Sequence, residues 1–154
     1  MKFRLTPFSQ PAGDFHLAVM PAGYVIDIST ADPRQYDPDR FRSTGGIQRT
    51  LSESRVREIA DYCGTPDSAF PTAVILAVGG EHYRLNDDGT EVEFAGTGKF
   101  ANIVDGQHRL AGLAKSGNLE RFHLPVVLLL DATLEEQALL SQPSMASRPR
   151  STRP

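Results

Sequence analysis

Two short, uninterrupted apolar runs constrain the fold of this chain more than any other feature. Residues 73–78 and residues 126–130 carry only apolar side chains. Each run is too short for a buried helix and long enough for a strand that is covered on both faces. Segments with helical patterns lie between and after them. Strands that alternate with helices predict an α/β sheet with flanking helices, and an α+β arrangement is the alternative.

Capping residues mark where two of the helices begin. Ser52 is a good N-cap and Glu53 places a negative charge in the first turn, so a helix is expected from this point. It should end near Gly64, where glycine fits a left-handed cap. Thr133 and Glu136 have the spacing of a capping box and predict the start of a later helix.

Shorter segments predict further strands. Residues 15–20 and residues 24–28 have strand-like composition, with a turn expected at residues 21–23. Residues 83–94 bend at a polar Asn-Asp-Asp-Gly sequence and predict an exposed hairpin. Residues 96–99 contain a Gly-Lys pair, as a phosphate-binding loop does. The upstream glycine and the following Ser or Thr of such a loop are replaced by Glu93 and Phe100, so a glycine-rich linker is the better interpretation.

A polar turn separates a short strand from the helix that follows it. Its residues are Asp105, Gly106, Gln107, His108 and Arg109. A strand-to-helix turn offers free backbone N–H groups and the positive end of a helix dipole, a setting that binds phosphates in many folds. Gly106 lets the backbone approach a ligand, and Arg109 adds a forked donor. The alternative is a polar helix start with an Asp cap and solvated neighbours. Spacing leaves both interpretations open.

Composition limits the classes of protein to consider. At 154 residues the chain has the size of one domain, and its net charge of −3 argues against a surface that binds nucleic acid throughout. No run approaches the roughly 18 apolar residues of a membrane span. The single cysteine, Cys63, excludes an internal disulfide and shares a helix face with Val56 and Ile59, so it is expected to be buried. The histidines lack the spacing of metal ligands, so a zinc site is not expected. A cytoplasmic protein is expected.

Three segments in order resemble a known family. Residues 105–113 (DGQHRLAGL) resemble the signature of the DGQHR-domain proteins, which include the DndB proteins of bacterial DNA phosphorothioation systems and relatives tied to DNA modification or phage defence. Residues 46–49 (GIQR) with the helix after them, and residues 70–76 (FPTAVIL), resemble the family as well. The resemblance covers roughly residues 15–140. It implies a ParB/sulfiredoxin-like mixed sheet with flanking helices.

The resemblance also implies a ligand, a nucleoside triphosphate (ATP or CTP) with Mg²⁺. Gly106 and the amides after it would cradle the phosphates. Arg109, with Gln48 and Arg49 upstream, would bind and neutralise them. Partners would be DNA and other DNA-modification proteins, with no membrane involved.

Metal binding and hydrolysis would use the remaining residues of the turn. Asp105 would hold the ion, because phosphate-bound Mg²⁺ needs only one or two carboxylates. Gln107 or His108 would position an attacking water, as in other phosphoryl transfers. This assignment of catalytic residues, and hence NTPase activity, follows from the resemblance.

Two further functions compete with nucleotide binding. The resemblance implies the first of them, a non-catalytic DNA-binding regulator of DNA-modification genes. Residues 34–57 support it, because six arginines against two aspartates and one glutamate give a local charge of +3, although ordinary solvated arginines are the alternative interpretation. A nuclease comes third, because no paired carboxylates near the turn would hold two metal ions.

The last residues differ from the rest of the sequence. Residues 142–154 hold three prolines, three arginines and no acidic residue, too polar to offset the entropy of ordering them. We expect a domain over residues 1–141 and a disordered tail over residues 142–154, from a truncated or frame-shifted product.

Overall fold

The computed structural model describes residues 1–31 and 51–141, and its elements follow the predicted alternation. In chain order they are β1 (Lys2–Arg4), β2 (Thr6–Gln10), β3 (Gly13–Pro21), α1 (Ala22–Ile28), β4 (Ser29–Thr30), α2 (Glu53–Cys63), β5 (Val74–Val78), β6 (Tyr83–Leu85), β7 (Glu91–Phe94), β8 (Ala101–Asp105), α3 (Gln107–Ser116), β9 (His123–Leu130) and α4 (Leu134–Leu140). Short 3₁₀ turns precede β6 and β9.

The two apolar runs lie side by side in the middle of a six-stranded mixed sheet. The strand order is β2-β3-β9-β5-β8-β4. β5 and β9 are parallel, with Val74 opposite Val126, and β8 runs antiparallel to β5. The expected α/β class is therefore confirmed.

The two faces of the sheet are covered unequally. Val74, Leu76, Val126 and Leu128 point to the main core and are fully buried. On the other face Leu129 is buried, but Ile75 and Val127 are only half-buried, in a smaller cluster. Within the described residues only the short helix α4 packs on that side. The expectation that both faces of these strands are fully covered is therefore wrong for the second face.

The predicted hairpin is confirmed, but one of its faces is buried. β6 and β7 pair antiparallel, Gly89 lies in the turn at φ 71°, and β1 completes a three-stranded sheet. Val92 and Phe94 belong to the main core. Phe94 also contacts the rings of Phe3 and Tyr24. Sequence alternation identified the strands, while packing against the larger sheet determined their burial.

The strand expected at residues 24–28 is wrong, because this segment is part of α1. Ala22, Val25 and Ile28 are buried at helical spacing. The Ala22 N–H donates to the Phe122 carbonyl, and the Phe100 N–H donates to the Ile28 carbonyl, which fixes both ends of the helix. Its β-branched residues suit either structure, and tertiary packing decided between them.

The helix starts agree with the sequence, whereas one helix end does not. The Ser52 hydroxyl accepts from the Arg55 N–H, and Thr133 and Glu136 form the reciprocal capping box. Gly64, however, has a right-handed conformation at φ −81°. Its N–H donates to the Asp61 carbonyl in a tight turn, so no left-handed residue is required there.

Helices α2 and α3 run side by side in the same direction at very short distance. A Cβ atom on Gly112 would lie 2.4 Å from the Ile59 Cγ2 atom, so only glycine fits at this crossing. Farther along the pair, Cys63 is buried, as predicted, and burial raises the pKa of its thiol. A buried, protonated thiol indicates a packing role.

The glycine-rich linker before β8 is confirmed. Gly96 and Gly98 have positive φ angles of 109° and 93°. Lys99 then donates to the carbonyls of Ile26 and Ser29 at 3.1 and 2.9 Å, where α1 ends. The lysine thus stabilises a helix C-terminus, which is a favourable place for a cation. No helix within residues 1–31 and 51–141 is long and apolar enough to cross a membrane.

Candidate functional site

The 105–109 turn joins the end of β8 to the start of α3 and requires a glycine. Gly106 has a φ angle of 104°, in the left-handed region. A Cβ atom there would lie 2.6 Å from the Val74 Cγ1 atom, on the neighbouring strand β5. Backbone conformation and close packing therefore both exclude a side chain at this position.

The first turn of α3 has no side-chain cap. Gly106 is the N-cap, and its carbonyl accepts the first helical bond, from the Leu110 N–H, at 3.0 Å. The amides of residues 107–109 have no acceptor in the described part of the chain. The Asp cap of the alternative interpretation is absent, since no side chain caps this helix. Within residues 1–31 and 51–141, three donors at the positive end of α3 therefore remain without an acceptor, which is the setting that favours an anion.

His108 links the starts of the two parallel helices. Its Nε2 atom accepts a hydrogen bond from the Ser52 N–H at 3.0 Å, and Ser52 is the N-cap of α2. An accepting Nε2 carries no proton, so in this arrangement the imidazole is neutral with its proton on Nδ1. His108 therefore has a structural partner that the sequence does not reveal.

Arg109 fixes the turn to the segment that precedes β5. Its Nη1 donates to the Thr72 carbonyl at 2.6 Å. Partial burial lowers the pKa of the guanidinium, and the nearby Asp105 carboxylate opposes that shift. Arginine remains charged in proteins, so a partly desolvated cation lies beside the open amides.

Asp105 and Gln107 are the members of the turn without a structural partner of this kind. Asp105 is exposed at the last position of β8, opposite Ile75. Gln107 is half-buried at the first position of α3, and its side chain makes no hydrogen bond to a described residue. Among the described residues, the Asp105 carboxylate interacts electrostatically with Arg109, whereas the Gln107 side chain can turn toward a ligand without breaking a hydrogen bond.

The described part of the chain offers the turn no preformed metal site. In residues 1–31 and 51–141, no group of three or more His, Cys, Asp or Glu side chains could hold an ion. Asp105 would therefore bind Mg²⁺ only together with ligands from elsewhere, such as phosphate oxygens. The predicted phosphate-binding pair Gln48 and Arg49 lies outside the described residues.

The end of the basic segment falls partly within the structure. Arg55 and Arg57 are exposed on α2. Arg57 and Lys115 line an open cavity of about 380 Å³ between α2 and α3, with Glu53 as the acidic member. The rest of the basic segment, residues 34–50, lies outside the described part of the chain.

The structure adds two partners that sequence patterns do not show, the Ser52 amide and the Thr72 carbonyl. Both are backbone groups, so no residue type marks them. The only available sequence signal is the position of Ser52 as a predicted N-cap. The 105–109 turn is thus a ligand-accessible helix start whose His and Arg also hold the surrounding segments together.

The fold and the turn define a mixed α/β domain with an uncapped, glycine-led helix start beside an arginine. The chain matches the DndB family, described as DNA-sulfur modification-associated, over residues 6–149. Since that match covers most of the sequence, the chain belongs to the DndB family and to its DNA-sulfur modification context. The DndB part of the resemblance is confirmed. No curated protein and no solved structure matches the chain.

Proposed function

We propose that this DndB-family domain binds a nucleoside triphosphate at the 105–109 turn, in the service of a DNA-sulfur modification or phage-defence system. The observation that carries the proposal is the start of α3, which no side chain caps. Gly106 has a left-handed backbone conformation there, and the three amides after it have no acceptor within residues 1–31 and 51–141. Such donors, together with the helix dipole, favour an anion.

Arg109 supplies the positive charge for this site. One arm of its guanidinium donates to the Thr72 carbonyl, which holds the side chain in place. The remaining N–H groups are available to phosphate oxygens, and partial burial strengthens such a charge-assisted contact. Gln48 and Arg49 remain candidates for further phosphate contacts.

Mg²⁺ fits this site only as a companion of the nucleotide. Asp105 is a single exposed carboxylate, and Mg²⁺ in nucleotide sites usually takes one or two carboxylates plus phosphate oxygens and waters. The bound ion would neutralise phosphate charge. Asp105 would hold it in position at the end of β8.

Hydrolysis is the finer part of the proposal, and the contacts rank its two candidate residues. His108 already accepts from the Ser52 N–H through Nε2, so it could position water only through Nδ1 or after releasing α2. Gln107 has no such commitment. We therefore assign water positioning first to Gln107, with His108 second.

Calorimetric titration of the purified chain with each of the four ribonucleoside triphosphates, with and without Mg²⁺, tests the proposal. Arg109→Ala should weaken binding by roughly tenfold or more, because a phosphate contact of about 1.5–3 kcal/mol is lost. Asp105→Asn should keep the Mg²⁺-free affinity and lose the gain from Mg²⁺. The two variants should therefore differ in metal dependence.

Arg84→Ala and Asp87→Asn are the matched controls, since both side chains are exposed on the distant hairpin. Neither should change nucleotide affinity. Normal affinity in a folded Arg109→Ala protein would contradict the phosphate site. No heat with any of the four nucleotides would contradict nucleotide binding altogether.

A DNA-binding regulator without catalysis is the second candidate function. The exposed Arg55 and Arg57 on α2, with Lys115 nearby on α3, support it as a basic surface. Binding of duplex DNA across a salt series tests it. A steep salt dependence that Arg55→Ala and Arg57→Ala together reduce, with no nucleotide binding, would favour the regulator.

A further inference from the structure

A second cavity lies at the opposite end of β8 from the 105–109 turn. It measures about 290 Å³, near the lower end of the range for small-ligand sites. It opens between α4, the segment after β5 and the start of β8. Its polar and aromatic lining includes Glu81, His82, Lys99, Phe100, Asn102 and Gln137.

Gln137 lines this cavity with a side-chain amide that is only partly hydrogen-bonded. It is 6% exposed, and its Nε2 donates to the Ala132 carbonyl at 3.1 Å. That bond assigns the amide orientation and leaves Oε1 as the acceptor, which is buried and has no hydrogen-bond partner among residues 1–31 and 51–141. A buried acceptor without a donor is costly, and a ligand N–H would remove that cost.

A column of aromatic rings ends at the same cavity. Phe94 contacts Phe100, with ring centroids 5.7 Å apart, and Phe100 stacks on His82 at 5.2 Å and an interplanar angle of 21°. The His82 side chain is 37% exposed. A flat ligand ring can therefore extend the column at its open end.

The charged groups at the cavity favour a ligand that donates hydrogen bonds. The Glu81 carboxylate is an exposed acceptor, 3.3 Å from the His82 Nε2 atom. Lys99 already donates hydrogen bonds to the carbonyls of Ile26 and Ser29 at the C-terminal end of α1, so its ammonium group is largely occupied by those contacts. The cavity thus combines an aromatic surface with acceptors in need of N–H groups.

We propose that this cavity binds a nucleobase that carries an exocyclic amine, such as adenine, cytosine or guanine. The base stacks on His82 and donates its amine to the Gln137 Oε1 atom. The base can come from a free nucleoside or from a nucleotide turned out of single-stranded DNA. The site is separate from the phosphate site and does not rest on it.

Fluorescence of 2-aminopurine tests this proposal, because stacking on an aromatic ring quenches this amine-bearing base and the chain contains no tryptophan. The probe is offered as the free riboside, within a single-stranded oligonucleotide and within a duplex. Quenching of the riboside supports binding of free nucleosides. A change of emission in the single strand without quenching of the riboside supports a base presented by DNA, because the probe leaves the stack of its neighbours for the cavity.

Variants connect the quenching to the named residues. Gln137→Leu should raise the Kd roughly tenfold or more through loss of the acceptor, with only a small change in melting temperature, since removal of the buried unpaired oxygen offsets loss of the hydrogen bond to the Ala132 carbonyl. His82→Leu, at a half-exposed position, should weaken quenching and serves as the second variant if the first does not fold. Glu135→Gln, exposed on the same helix, is the matched control and should bind normally.

A competitor without the amine gives the sharpest result. Adenosine should displace the probe at much lower concentration than purine riboside, because a site with a buried acceptor rejects an analogue without the donor. Equal competition by the two nucleosides would overturn the proposal. Absence of any emission change in all three forms of the probe, or an emission change that is unaltered in both Gln137→Leu and His82→Leu, would overturn it too.

Discussion

The two ends of β8 hold polar groups in different ways. At its C-terminal end, the 105–109 turn is formed by five consecutive residues, of which Asp105 is exposed and the other four are half-buried. At its N-terminal end, the cavity under α4 gathers side chains from segments as far apart as Glu81 and Gln137. The first arrangement is visible as a sequence motif, and the second exists only after the chain has folded.

Glycine substitutions at the two ends should give the largest difference. Gly106 and Gly98 both have φ angles in the left-handed region, 104° and 93°. Gly106→Ala should cost about 2–5 kcal/mol of unfolding free energy, from conformational strain plus the contact with Val74. Gly98→Ala should cost only about 1–2 kcal/mol, because a Cβ atom there meets nothing within 4 Å. Urea unfolding measures both.

Comparison of Gly106→Ala with Gly98→Ala separates the cost of close packing from the cost of backbone strain. Val74→Ala removes the Cγ1 atom in question, so its cost should be smaller in the Gly106→Ala background than in the unaltered protein, where it only removes buried packing. Equal costs for the two glycine variants would mean that close packing does not constrain the 105–109 turn.

The contact between His108 and the Ser52 N–H should have an intermediate effect. His108→Phe should lower the unfolding free energy by about 1 kcal/mol, since the hydrogen bond is lost and the amide stays accessible to water. Hydrogen exchange should accelerate in the first turn of α2. His108→Gln, which keeps a side-chain acceptor, is the control and should restore part of the protection. Unchanged exchange in His108→Phe would show that the two helix starts are not coupled.

The smallest expected effect is a pH dependence near the cavity end of the sheet. Burial and then the hydrogen bond to Asp131 raise the pKa of Tyr83 from 10 to about 12. Because the folded-state pKa lies above the unfolded value, this contribution to stability is complete below pH 10 and is lost as the pH rises through about 12.

Ultraviolet titration of tyrosinate should show Tyr83 ionising after an ordinary tyrosine. Tyr83→Phe should remove that late step and reduce the loss of stability at high pH. A late step that persists in Tyr83→Phe would assign it to another residue, with Tyr24 as the candidate because burial raises its pKa as well.

Prediction from sequence succeeded where the signal was local. The runs that became β5 and β9, the Ser52 and Thr133 caps, and the hairpin turn at Gly89 each depend on a few neighbouring residues. It failed at residues 24–28, whose composition fits a strand, because contacts with Phe122 and Phe100 fix a helix there.

The site was predictable in part for the same reason. The consecutive residues 105–109 indicated a strand-to-helix turn, and the structure has one, while the left-handed φ angle of Gly106 and its contact with Val74 are known only from the structure. The sequence did not indicate that His108 would hold the Ser52 amide or that Arg109 would hold the Thr72 carbonyl. Backbone partners have no residue signature, so no pattern could have named them.

The sequence by itself determined the α/β alternation, the starts of α2 and α4 and the polar turn, because hydrophobic periodicity and capping act over a few residues. Only the tertiary structure decided the partial exposure of the second sheet face, the close crossing at Gly112 and the unpaired Gln137 oxygen. These features depend on distances between segments far apart in the chain. Such distances result from packing of the whole domain, which no local pattern encodes.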